Sequence, residues 1–360
     1  MATLKSKTGL NLLNRCLLWR SPGFSYSTTR TLETLAFEEL RSSPDKPYTS
    51  TAFILHGLLG SGRNWRSFSR NLASSLSNSS SSEWRMVLVD LRNHGKSANI
   101  EGLDPPHDMF NAAKDLANLV KSHGWAWPDV VIGHSMGGKV ALQFAQSCSR
   151  GDYGESVALP KQLWVLDSVP GDVSSENSDG EVEKVLKTLQ SLPASLPSRK
   201  WLVNHMIELG FSKSLSEWIG SNLKKSGEQE TWSFNLEGAI QMFNSYRETS
   251  YWSLLEHPPK GMEMGIVIAE KSDRWEPDVI QRLESLYNQK ENGSEGKVAV
   301  HVLPNSGHWV HVDNPKGLLE IVAPKIASLP ARVCDRAGIC WCLGYPVWEA
   351  GLFGSFLLPF

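Results

Sequence analysis

The segment Asp129–Val140 reads DVVIGHSMGGKV, and the rest of the sequence is interpreted around it. A short apolar run with the pattern of a buried strand leads into Gly133-His-Ser-Met-Gly137, and a helical apolar pattern begins at Val140. A corner this tight requires a strained backbone, and the two glycines allow neighbouring chain to approach closely because they lack a side chain. Gly-x-Ser-x-Gly between a strand and a helix is typical of a nucleophile elbow. It predicts that the Ser135 hydroxyl is exposed at a helix N-terminus.

Length and composition indicate a globular protein. The chain has 360 residues, of which 41% are hydrophobic and 21% charged, and its formal net charge is −2. This composition can form a large core and argues against a nucleic-acid-binding protein. The few, unevenly placed cysteines indicate neither a disulfide framework nor a structural metal site, and they suit a reducing compartment. They are Cys16, Cys148, Cys334, Cys340 and Cys342.

Strand patterns alternate with helical patterns in two blocks, residues 32–170 and 260–329. This alternation predicts an α/β fold with a mostly parallel, doubly wound sheet. Between the blocks, in residues 171–259, strand patterns disappear, so we expect a helical cap inserted into the core. Its predicted helices are Glu181–Gln190, Lys200–Leu209, Leu215–Lys225 and Leu236–Tyr246.

Both ends of the chain have unusual compositions. Residues 1–31 contain basic residues, many Ser and Thr, and no acid, which predicts an organellar transit peptide. The amphipathic, arginine-bearing pattern favours a mitochondrion, with a plastid and then the cytoplasm as alternatives. Residues 330–360 are apolar, but Pro346 and Glu349 interrupt them, so a membrane span is not expected. We expect an extension without stable structure, with Cys340-x-Cys342 as a minor candidate metal site.

A serine nucleophile needs a base, and the base must be oriented by a third group. We predict that His308 is the base because it follows the last core strand on a glycine-containing loop. His301 lies within a strand pattern, and His311 lacks a preceding glycine, so both are weaker candidates. Two aspartates qualify as the orienting acid, and the residues alone leave both open. Asp167 ends the strand after the elbow, and Asp273, beside Ser272, follows the next core strand.

Two backbone N–H groups are expected to form an oxyanion hole. One belongs to Met136, which follows the nucleophile, and the other to Leu58, which follows His56-Gly57 on an earlier strand loop. Each such donor is typically worth about 2.7–4 kcal/mol of barrier. A polar turn after another strand is interpreted as structural, since the triad needs no further member. Its residues are Asp90, Arg92, Asn93, His94 and Ser97.

Five segments together resemble the α/β-hydrolase fold, and within it the esterases of the abhydrolase-domain-containing protein eleven type and their bacterial esterase relatives. They are the elbow, His56–Ser61, Asp90–Ser97, Leu166–Pro170 and Gly307–His311, and the resemblance spans residues 35–329. In that family the acid comes from the earlier strand, which Asp167 matches, and a serine follows the later strand, where Ser272 falls. Asp273 beside Ser272 departs from this pattern.

These features lead us to expect a serine hydrolase that cleaves small-molecule acyl esters or thioesters through an acyl-enzyme. We expect no cofactor and no metal, because the sequence has neither a glycine-rich phosphate loop nor a metal-ligand cluster. C–C bond hydrolysis or acyl transfer with the same triad is one alternative. A ligand-binding or partner-binding protein on a hydrolase scaffold is another. Epoxide or haloalkane hydrolysis is disfavoured, because those reactions place a carboxylate where Ser135 stands.

Overall fold

A computed structural model describes residues 34–43, 45–79, 82–173, 180–288 and 296–330, and the backbone of 332–334 and 340–342. The predicted transit peptide lies outside the described residues, so it and the expected location stay predictions. Of the C-terminal extension, two short strands are described, and they pair antiparallel at Arg332–Cys334 and Cys340–Cys342. This pair lies in a segment that we expected to lack stable structure. Within the described residues no helix is long and apolar enough to cross a membrane.

Apart from this C-terminal pair, the strands in chain order are β1 (Phe37–Arg41), β2 (Ser50–Leu55), β3 (Trp84–Val89), β4 (Val130–His134), β5 (Gln162–Leu166), β6 (Ser195–Leu196), β7 (Leu223–Ser226), β8 (Gln229–Trp232), β9 (Glu263–Ala269) and β10 (Lys297–Leu303). Seven of them form a central sheet in the order β1-β3-β2-β4-β5-β9-β10. All neighbours in this sheet are parallel except β1, which pairs antiparallel with β3. The other three form a small separate sheet, β6-β8-β7.

Helices cover both faces of the central sheet. In chain order the helices are α1 (Arg66–Ser79), α2 (Met109–Ser122), α3 (Met136–Arg150), α4 (Gly180–Ser191), α5 (Arg199–Glu208), α6 (Lys213–Gly220), α7 (Leu236–Glu248), α8 (Trp252–Glu256), α9 (Pro277–Asn288), α10 (Val310–Asp313) and α11 (Pro315–Ala327). On one face α2 and α3 pack on alternate strand residues such as Phe53 and Val131, and on the other α1 and α11 pack on Ile54 and Ile132. The predicted mostly parallel, doubly wound α/β sheet is confirmed.

Central strands β2 to β5 are buried along their whole length. Strands covered on both faces read as continuous apolar runs rather than as alternating patterns. This is why β2, β3, β4 and β5 stood out in the sequence. Their carboxyl ends meet at one edge of the sheet, where parallel α/β folds place their functional groups.

The cap inserted between β5 and β9 contains helices α4 to α8, as expected, and also the small sheet β6-β8-β7. The prediction that strands are absent from this insertion was therefore wrong. The helix predicted at Leu215–Lys225 ends at Gly220, and Lys224 and Lys225 lie in β7. Gly227 has a positive φ of 64° in the turn between β7 and β8. Both strands carry mostly polar residues, so no apolar alternation revealed them.

The polar turn after β3 has the structural role that we expected. Arg92 donates from Nε and Nη2 to the Asp115 carboxylate at 2.6 and 3.0 Å, and from Nη1 to the Pro106 carbonyl at 2.9 Å. Asp90 accepts the N–H groups of Gly62 and Lys96, each at 2.8 Å. These bonds join the turn to α2 and to the loop before α1.

We expect Arg92→Met to lower the free energy of unfolding by about 3–5 kcal/mol, because it leaves a buried carboxylate unpaired. The side chains of Arg92 and Asp115 are only 4% and 7% exposed. Urea unfolding followed by fluorescence measures the change. The double variant Arg92→Met/Asp115→Leu should recover more than about 1 kcal/mol, since it removes both charges. A double variant no more stable than Arg92→Met would contradict this account of the pair.

Candidate active site

Ser135 occupies the corner between β4 and α3 with φ 52° and ψ −123°, a strained conformation for a residue with a side chain. Its N–H donates to the Leu166 carbonyl at 3.0 Å. A Cβ on Gly133 would lie 2.1 Å from the Gly137 carbonyl oxygen, and a Cβ on Gly137 would lie 2.5 Å from the His56 carbonyl oxygen. Any side chain at either glycine would overlap the main chain. The corner therefore has the close packing that a nucleophile elbow requires.

His308 lies in the loop between β10 and α10, and it lines the same cavity as Ser135. Its Nδ1 donates to Oδ2 of Asp167 at 2.7 Å, across 141 residues of sequence. The Asp167 side chain is fully buried, whereas the His308 side chain is 25% exposed. A hydrogen bond of this kind holds the imidazole in one tautomer and leaves Nε2 to exchange a proton. The fold thus brings the predicted nucleophile, base and acid to one site.

Asp167 accepts three further hydrogen bonds. Oδ1 accepts the Trp275 indole N–H at 2.6 Å and the Ala269 N–H at 3.1 Å, and Oδ2 accepts the Ser272 hydroxyl at 2.8 Å. Burial raises the pKa of the Asp167 carboxyl, but the hydrogen bonds and the charge of His308 outweigh it, so the net pKa is lowered. Asp167 therefore stays ionised, as a partner for the imidazolium must.

Asp273, the rival acid, has an exposed side chain at the rim of the cavity. Its neighbour Ser272 is the residue that joins the hydrogen bonds of Asp167. The geometry therefore favours Asp167 as the orienting acid. Trp275 was not anticipated from the sequence, because an indole two residues beyond an aspartate carries no signal for such a contact.

The competing histidines are held elsewhere. His301 lies in β10 with its ring stacked on Trp164 at 5.7 Å. His311 reaches the cavity wall, but its ring stacks on Trp65 at 4.2 Å. Burial, with the charge of His308, lowers the pKa of His311 to about 4. Neither ring is placed as His308 is, with one nitrogen on a buried carboxylate.

The loop after β2 lies directly against the nucleophile. A Cβ on Gly57 would be 3.1 Å from the Ser135 Cβ, so only glycine fits there without a shift. Leu58 follows on this loop, and Met136 is the first residue of α3, whose initial N–H groups have no partner within the helix. Both residues line the cavity. This placement suits the predicted oxyanion hole.

His56 supports this loop, a role that sequence reasoning missed. Its Nδ1 donates to the Gly57 carbonyl at 2.8 Å, and its Nε2 accepts the Leu91 N–H at 3.0 Å. Burial lowers the pKa of His56 to about 4, so the ring stays neutral and keeps this tautomer. His134 has a comparable role, since its Nε2 donates to the His308 carbonyl at 2.7 Å. In the sequence, the only signal for these supporting roles was a histidine next to a glycine at the end of a strand.

The cap forms one side of the cavity. The apolar lining of the cavity comes from the core loops and from three cap helices, and the polar lining includes the buried side chains of His56, His134 and Ser135. The apolar residues are Leu58, Leu59, Trp65, Met136, Val182, Val185, Leu215, Trp218, Phe243, Tyr246 and Trp309, and charged residues include Glu181, Asp273 and Arg274. Within the described ranges no cluster of three or more His, Cys, Asp or Glu side chains is arranged for a metal ion.

Comparison with known proteins places this chain in a family. Residues 52–321 match the model of the alpha/beta hydrolase family. The chain belongs to the alpha/beta hydrolase family. It is 25% identical over 277 residues to a mouse protein named sn-1-specific diacylglycerol lipase ABHD11, covering 76% of this chain and 80% of that protein. The protein of the same name from Danio rerio is 25% identical over 266 residues, covering 73% and 74%.

The resemblance noted in the sequence is thereby confirmed. A solved structure, a marine microorganism esterase, superposes on this alpha/beta hydrolase with a TM-score of 0.63 at 22% identity, covering 81% of this chain and 98% of that one. At this identity the likeness supports the fold.

We expect Asp167→Asn to lower kcat for a chromogenic ester by about 10⁴-fold, because an amide cannot stabilise the imidazolium and favours the wrong tautomer. Asp273→Asn, at the exposed rim, should change kcat by less than about threefold. Steady-state kinetics on both variants, corrected for folded protein by circular dichroism, make the comparison. Near-full activity in Asp167→Asn would refute the assignment of the acid.

We expect the free energy of unfolding to fall as the pH decreases from about 6.5 toward 4. Burial lowers the pKa of His56 to about 4 and that of His94 to about 3. In this range the unfolded chain binds protons on these histidines and the native chain does not, so acid favours unfolding by about 1.4 kcal/mol per pH unit for each.

His94→Gln should therefore reduce the pH slope of the free energy of unfolding by about one histidine's share. Urea unfolding at several pH values measures this slope. A circular dichroism spectrum at neutral pH that matches wild type shows that the variant is folded. Equal slopes in wild type and His94→Gln would contradict the assignment of His94 as a buried neutral residue.

Proposed function

We propose that this alpha/beta hydrolase cleaves carboxylic esters or thioesters through an acyl-enzyme on Ser135. One observation carries the proposal. The imidazole of His308 is held at 2.7 Å by the buried carboxylate of Asp167, and it opens into the cavity that the Ser135 elbow also lines. An imidazole oriented by a carboxylate is the kind of base that activates a serine hydroxyl for attack on a carbonyl carbon, so this placement supports the proposal.

The reaction begins when Oγ of Ser135 attacks the carbonyl carbon and His308 takes the hydroxyl proton at Nε2. The carbonyl oxygen becomes an oxyanion, which the N–H groups of Leu58 and Met136 stabilise. Asp167 stabilises the imidazolium formed on His308. The intermediate collapses and expels an alkoxide or thiolate, which takes the proton from His308. A water molecule then attacks the acyl-enzyme by the same steps, releases the acid and restores Ser135.

The cavity supports an apolar acyl group as the part of the substrate that is bound. Its walls combine aliphatic residues, among them Val182, Val185 and Leu215, with aromatic ones, among them Trp218 and Phe243. Burying such a group gains about 25 cal/mol for each Å² of apolar surface. The relatives named as diacylglycerol lipases, which cleave lipid esters by their name, support the same class of bond.

A fluorophosphonate probe tests this proposal, because it forms a stable bond only with an activated serine. We expect the purified wild-type protein to be labelled on Ser135 and to hydrolyse activated esters or thioesters. Mass spectrometry of the tryptic peptide that contains Gly133–Lys139 locates the label. Ser135→Ala should lose both labelling and turnover.

The same experiment separates the other functions that share this scaffold. Acyl esters are presented with and without an alcohol acceptor, and a dominant ester product would indicate acyl transfer instead of hydrolysis. Labelling of Ser135 without turnover of any ester or thioester would favour C–C hydrolysis. Absence of labelling in a folded wild-type protein would refute the proposal and favour a ligand-binding or partner-binding protein.

A further inference from the structure

Lys139 is fully buried in α3, four residues after Ser135. Charged side chains are almost never fully buried unless they are paired. Its Nζ donates to three main-chain carbonyls, those of Gly171 at 2.6 Å, Tyr246 at 2.5 Å and Thr249 at 2.7 Å. An ammonium has three hydrogens to donate, and each carbonyl receives one.

These carbonyls belong to two segments of the cap that lie far apart in sequence. Gly171 is at the start of the cap, Tyr246 lies in the last turn of α7, and Thr249 follows that helix. The two segments also bond to each other, since the Val173 N–H donates to the Arg247 carbonyl at 2.8 Å. One side chain on the nucleophile helix therefore bonds to both the start of the cap and the end of α7.

The contact extends to the cavity through Tyr246. Nζ of Lys139 lies 4.5 Å from the centroid of the Tyr246 ring, and this ring stacks with Phe243 at 6.2 Å. Tyr246 and Phe243 both line the cavity, whereas Lys139 is absent from the described lining residues. Lys139 therefore contacts the cavity indirectly, through Tyr246 and the Phe243 ring stacked on it.

We propose that Lys139 is a positioning residue that fixes the cavity wall formed by Phe243 and Tyr246, and so sets which acyl groups the cavity accepts. This inference rests on the proposed ester or thioester hydrolysis. Removing the ammonium leaves three carbonyls without their donor and loosens the attachment of α7 to α3. A long acyl chain that lies along this wall then loses contacts, whereas an acetyl group does not reach it.

Lys139→Met tests the proposal, since it keeps the unbranched stem and removes the donors. Turnover of 4-nitrophenyl acetate and 4-nitrophenyl octanoate is measured per active site, with the sites counted by fluorophosphonate titration. We expect kcat/KM for the octanoate to fall at least roughly tenfold further than kcat/KM for the acetate. An equal fall for both esters would show a merely structural role and would overturn the proposal.

Hydrogen exchange of the backbone amides provides a readout that does not depend on catalysis. In Lys139→Met we expect faster exchange in residues 236–249, and little change in β4 and β5 of the core. Unchanged exchange in residues 236–249 would overturn the proposal. A folded wild-type protein that fluorophosphonate does not label would refute the proposed function alone, because exchange still tests the attachment of α7.

Two further variants complete the test. Lys316→Met removes an exposed lysine on α11, and it should leave the ratio of octanoate to acetate turnover unchanged. Lys139→Gln retains two N–H donors and serves if Lys139→Met does not fold. It should shift the ratio in the same direction by a smaller factor, and an unshifted ratio would count against the proposal.

Discussion

Main chain packs directly on main chain at the Ser135 corner, and the site depends on this contact. Gly133 faces the Gly137 carbonyl, and Gly137 faces the His56 carbonyl, at distances that leave no room for a Cβ. Gly57 brings a second loop against Ser135 in the same way. The strained Ser135 backbone persists because these contacts over-determine it, and the buried strands on either side supply the packing energy. The hydroxyl and the two candidate N–H donors are therefore placed before any substrate arrives, which is what electrostatic catalysis requires.

The second constraint is electrostatic. A carboxylate as deeply buried as Asp167 is costly unless hydrogen bonds compensate it. Asp167 receives them from Ala269, Ser272 and Trp275 as well as from His308. Ala269 ends β9, and Ser272 and Trp275 follow it. The segment after β9, which carries the rival acid Asp273, therefore supplies hydrogen-bond donors to Asp167, the acid that follows β5. Asp273 sits one residue from Ser272 yet faces the rim, because adjacent residues in a turn point in different directions.

Function on this scaffold divides between a rigid core and an inserted cap. The core brings together the groups suited to bond cleavage, and the cap supplies most of the apolar wall around them. Cap residues share one buried apolar cluster with the core, and Lys139 adds three hydrogen bonds from the helix that begins at the nucleophile. Hydrogen bonds are directional, whereas the hydrophobic effect is not, so these bonds define the position of the cap segments more narrowly. This arrangement ties the shape of the cavity to the elbow itself.

Local pattern in the sequence determined the sheet, the elbow glycines, Ser135 and the loop of His308, because buried strands and tight turns demand particular residues at adjacent positions. Tertiary structure decided what depends on residues far apart. The residues alone did not decide whether Asp167 or Asp273 orients His308. Hydrogen bonds between residues more than a hundred positions apart favour Asp167. The small cap sheet escaped notice because its strands are polar and half-exposed. The role of Lys139 also depends on tertiary structure, since nothing beside it in the sequence indicates the three carbonyls that accept from its ammonium.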